Sequence, residues 1–143
     1  MYDREDSINF HKEVDIEFSQ WGKDNSLNSQ YVMQPKEDEA YRFNTDFTKN
    51  SKHTIEIRKK KIVFKSAYES EDNKGCFQKN YSHHKIKPNK EYMSINERVS
   101  INVWLYKMSE PSNLKEFEIV ISKFEFKPFR FPGILNPAPN PQQ

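Results

Sequence analysis

Three carboxylates stand at alternate positions in KEVDIEF: Glu13, Asp15 and Glu17, with Val14, Ile16 and Phe18 filling the gaps. In a β-strand, residues two apart share a face, so the acids would line one side while the apolar chains point into a core. At ~3.3 Å per residue the Glu13 and Glu17 Cα atoms would lie about 13 Å apart. Side chains leaning roughly 4 Å toward each other would leave about 5 Å between carboxyls, the separation of the two catalytic acids of a retaining glycosidase. Asp15, shorter and between them, is placed to hydrogen-bond one glutamate and fix its orientation and protonation. Crowded negative charge also raises the pKa of whichever carboxyl keeps its proton, as a general acid working near neutral pH requires. The plainer alternative is an acidic sheet face exposed to water. With 21 Asp and Glu among 143 residues and 34% hydrophobic residues, about 0.05 chance matches to this alternation are expected, so the row carries information.

A second strand pattern is VSINVWLY, Val99 to Tyr106, whose aliphatic side chains alternate with Ser100, Asn102, Trp104 and Tyr106. The mixed face suits a sugar. An indole gives a flat apolar surface with one donor, and the Asn102 amide could bond ring hydroxyls. Core packing is an equal alternative for Trp104. Trp21, just after the acidic strand, is the other candidate platform.

These residues must be held by strands. Periodicity of two runs through Ile8 to Phe18, Gln30 to Gln34, Ala40 to Asn44, His53 to Arg58, Lys61 to Ala67, Val99 to Tyr106 and Glu116 to Lys127. No amphipathic helix competes. The polar stretch Glu69 to Asn96 reads as a surface excursion or an extra hairpin. Residues 129–143 hold much of the chain's proline and read as an extended tail after a domain spanning 1–128.

Composition narrows the function. The 11 Phe, 7 Tyr and 2 Trp can build one core, while a mean hydropathy of -1.03 demands a polar surface. A net charge of +2 gives no field for nucleic acid or anionic lipid, and the basic run Arg58 to Lys61 reads as a solvated turn. No apolar run approaches the ~20 residues of a membrane span, and the acidic start MYDREDSINF has no signal-peptide pattern. The partner expected is therefore neutral, with neither nucleic acid nor membrane. Cys76 stands alone, and adjacent His83 and His84 would point to opposite strand faces, so no metal site and no cofactor are expected.

EVDIEF, followed by a loop and a strand at Gln30, resembles the catalytic strand of glycoside hydrolase family 16, the lichenase and laminarinase group. HTIEI, His53 to Ile57, is similar to that family's later His-Thr strand, and INVWLY to its Asn-x-Trp strand lining the cleft. The resemblance covers Glu13 to Lys127, and it corresponds to the family's second half. It implies an all-β, concanavalin A-like jelly-roll β-sandwich, incomplete at its N-terminus and completed by a further N-terminal segment of the same domain. It also implies that Glu13 is the nucleophile, Asp15 its supporting carboxylate and Glu17 the general acid/base. Trp21, Gln30, Asn102 and Trp104 would bind a polysaccharide or oligosaccharide of β-glucan type. Secretion would follow from the resemblance alone. The alternatives are a sugar-binding module of the same fold without chemistry, or an inactive remnant of the enzyme.

Overall fold

The computed structural model describes residues 2–3, 12–23, 27–34, 40–58, 61–77, 80, 82–86, 97–111 and 113–127. The expected tail at 129–143, the strand start at Ile8 and the centre of the basic turn lie outside the described residues. The chain forms two units, Met1–Ser109 and Glu110–Gln143.

All described strands lie in the first unit, and all pair antiparallel. They are β1 (Tyr2–Asp3), β2 (Val14–Phe18), β3 (Ser29–Met33), β4 (Tyr41–Phe43), β5 (Ser51–Arg58), β6 (Lys61–Tyr68), β7 (Ser82–Ile86) and β8 (Glu97–Arg98). One three-stranded sheet has the order β2-β3-β4, another β5-β6-β7, and β1 pairs with β8. The class is all-β, as the alternation predicts.

The two larger sheets face each other because each presents an apolar row. Val14 and Ile16 from β2, Tyr31 and Met33 from β3 and Phe43 from β4 meet Ile55, Ile57, Ile62 and Phe64 from β5 and β6. Tyr31 stacks on Phe64 with ring centroids 4.9 Å apart, and Tyr41 stacks on His84 of β7 at 4.6 Å. Removing these faces from water is the main force holding such a sandwich together. Directional bonds run through it as well. The Tyr31 hydroxyl donates across the interface to Ser66 Oγ at 2.6 Å, and Ser66 Oγ lies 2.8 Å from His53 Nδ1. His53 Nε2 in turn lies 2.8 Å from Ser51 Oγ. Burial pushes the His53 imidazole down to about 4, so it stays neutral through the physiological range.

Each central strand is covered on both sides. Val32 and Gln30 on the outer face of β3 are buried, as are Val63 and Ala67 on the outer face of β6. The excursion after Glu69 folds back as the extra hairpin: Glu69 bridges to Phe77, and β7 adds to β6 with Phe64 opposite His84.

Two expected strands do not form. Val99 to Tyr106 and Glu116 to Lys127 carry the alternation but belong to no ladder, and Tyr106–Met108 turns into a 3-10 helix. Their apolar side chains are exposed, 74% for Trp104 and 77% for Val120. A strand's backbone groups need a neighbouring strand to bond to, and alternation alone does not supply one.

Candidate active site

The hairpin of β2 and β3 builds the acidic row. Its register pairs Val14 with Met33, Ile16 with Tyr31 and Glu17 with Gln30. The ladder extends one step beyond the strand, where Gln34 N–H donates to the Glu13 carbonyl at 3.0 Å, so Glu13 keeps the alternation. With Val14 and Ile16 in the core, Glu13, Asp15 and Glu17 share the outer face.

That face is not simply a solvated one. All three acids are half-buried, beside the buried outer face of β3. Asp15 is pushed up to about 7, chiefly by burial, with the charges of Glu13 and Glu17 adding to the shift. At neutral pH it therefore holds its proton about half of the time, while an exposed aspartate would be fully ionised. Glu17 accepts a hydrogen bond from the Gln30 side-chain amide at 2.7 Å, which fixes its carboxylate across the strand pair.

Beyond Gln30 the row continues to Arg42 of β4, its cross-strand partner on the other side. The Arg42 guanidinium sits 4.3 Å from the centre of the Trp21 ring. Trp21 and Gly22 are the central residues of a tight turn closed by Lys23 N–H donating to the Gln20 carbonyl at 3.0 Å. Both have positive φ, 49° and 68°, a pair that marks a type I′ turn. Glycine adopts this readily and a tryptophan does not, so Trp21 is held in place by its surroundings. Its backbone N–H donates to Ser19 Oγ at 2.9 Å, and the Tyr106 ring packs 3.4 Å from where a Gly22 Cβ would stand.

Glu13, Asp15, Glu17, Gln30 and Trp21 are thus brought to one sheet face. Asn102 and Trp104 are not. Asn102 accepts a hydrogen bond from Ser100 at 2.8 Å, and among the described residues neither side chain bonds or stacks on the row. The cause is the missing strand at Val99 to Tyr106. Arg42 escapes sequence reasoning because YRF gives its face but not the register that carries it to Gln30.

Among the described residues no group of three His, Cys, Asp or Glu side chains is arranged to hold a metal. His83 and His84 project to opposite faces of β7, exposed and half-buried. Comparison with family models, curated proteins and solved structures found no match.

Proposed function

We propose that the chain is a carbohydrate-active domain of retaining glycosidase type, cleaving O-glycosyl bonds of a β-glucan or related polysaccharide, and that its sandwich is a jelly roll. The observation that carries the proposal is the row itself: Glu13, Asp15 and Glu17 share one sheet face, and Gln30 holds Glu17 from the neighbouring strand. Paired carboxyls on one face are what acid/base glycoside chemistry needs.

In this reading Glu13 attacks the anomeric carbon and forms a glycosyl ester, while Glu17 gives its proton to the departing oxygen. Glu17, again a carboxylate, then takes a proton from water as the water breaks the ester. Gln30 holds Glu17 in position throughout. Asp15 lies between the two, and its readiness to carry a proton limits the negative charge of the row to what the sugar's developing cation can use. The exposed apolar runs at 99–106 and 116–127 support a second part of the proposal, that further strands of the same domain complete the sandwich.

The second reading is a non-catalytic module, in which the same face holds glycan without chemistry. One experiment separates the two. The chain is incubated with activated 2-fluoro-β-glycosides and weighed intact. The enzyme gains one glycosyl mass, mapped to Glu13 and absent from Glu13→Gln. Saturable binding without added mass assigns the chain to the module, and neither signal rejects the carbohydrate reading.

A further inference from the structure

We infer that this face selects a polysaccharide bearing anionic groups, sulfate or carboxylate, and that Arg42 is the residue that reads them. The inference rests on the carbohydrate reading above and names the substrate class within it.

Arg42 is the cation at the far end of the row formed by Glu17, Gln30 and Arg42 across three strands. Its guanidinium lies over the Trp21 ring at 4.3 Å. A guanidinium held over an aromatic face by cation–π attraction keeps N–H groups that can donate to a ligand. Those donors form a fork that matches two oxygens of a sulfate or carboxylate, which a hydroxyl cannot do. Arg42 is half-buried, and among the described residues no carboxylate lies within salt-bridge distance of it.

The indole points the same way. A platform for a neutral sugar keeps its ring open, whereas one face of Trp21 is occupied by the guanidinium. Trp21 is also kept at φ 49°, a costly backbone setting for an aromatic residue, with its backbone N–H tied to Ser19 Oγ. Such a setting serves an arginine that must hold one orientation. The distance fits as well. Glu17 and Arg42 are two strand spacings apart, about 10 Å along the sheet, so a charged group at Arg42 belongs to a neighbouring sugar and stays clear of the bond being cut. Screening at physiological salt, with a Debye length of about 8 Å, weakens repulsion from the acids over that span.

The test is calorimetric titration of the full chain with three β-linked oligosaccharides of equal length: sulfated, uronic acid-containing and neutral. Wild type is expected to bind one of the charged sugars at least tenfold more tightly than the neutral one, and the preferred sugar identifies the group. Arg42→Gln should bring the preference to within about twofold, and Arg42→Lys should keep only part of it because it keeps charge without the fork. Equal binding of charged and neutral sugars by wild type overturns the inference and leaves the carbohydrate reading standing. An unchanged preference in Arg42→Gln does the same. Binding of none of the three overturns both. Should Arg42→Gln fail to fold, the wild-type protein still decides. Its preference must shrink between 50 and 500 mM salt, and a preference indifferent to salt counts against a cation as its source.

Discussion

Asp15 and His53 respond to pH in opposite directions. Asp15 moves from its usual 3.8 up to about 7 on folding, so between those values the native state holds a proton that the unfolded chain has released. That contribution to stability is lost as pH rises through the window. His53 moves from 6.5 down to about 4, so there the unfolded chain binds the extra proton and stability falls as the solution is acidified. From about pH 4 to 6.5 the two nearly offset each other. Asp15→Asn removes one side of the balance. Its urea midpoint should match wild type near pH 4 and exceed it by an amount worth about 1–3 kcal/mol at pH 8. Parallel curves across the whole range would show that Asp15 titrates normally. The acidic row was legible in the sequence because alternation fixes a shared face. The inward imidazole was not, since HTIEI gives the parity of His53 but says nothing of the Ser66 and Tyr31 hydroxyls that meet it.

At the scale of elements, a strand's worth depends on what lies beside it. Phe64 is fully buried in β6 between Ile55 and His84, with Tyr31 stacked on it. Phe64→Ala should cost about 3–5 kcal/mol, the usual loss for an aromatic core residue, read as a shift in the denaturant midpoint. Trp104→Ala should move the same midpoint by less than about 0.5 kcal/mol, because the indole is exposed. A large loss at Trp104 would mean that Val99 to Tyr106 packs in solution. The sequence pattern located β3 to β6 within a residue or two and the end of β2 at Phe18, while the described strand begins at Val14 and the expected start at Ile8 lies outside the described residues. It overstated Val99 to Tyr106 and Glu116 to Lys127 because a period of two records which side chains share a face and is silent about hydrogen-bonded neighbours. It missed β1 and β8, each two residues long, since a pair of residues has no period. Resemblance to a family gave roles to Asn102 and Trp104 for which the described contacts have no counterpart.

For the molecule as a whole, the exposed apolar runs dominate behaviour in water. Val103, Trp104, Ile119, Val120 and Phe124 are each more than half exposed. Surfaces of this kind are covered by partners or drive association. The chain alone should therefore sediment as a concentration-dependent mixture. Val103→Lys with Ile119→Lys should shift that mixture toward monomer while leaving the unfolding midpoint within about 0.5 kcal/mol of wild type. A single ideal species at every concentration would show that the runs fold away in solution.

The Tyr31 phenol has a wider consequence. Greasy faces tolerate sliding, because one methyl group serves nearly as well as the next. A hydroxyl buried at the centre and bonded to Ser66 of the facing sheet works as a dowel, fixing the layers against translation. It does so on the side away from the acids, so the outer surface can change residue by residue without disturbing the alignment beneath.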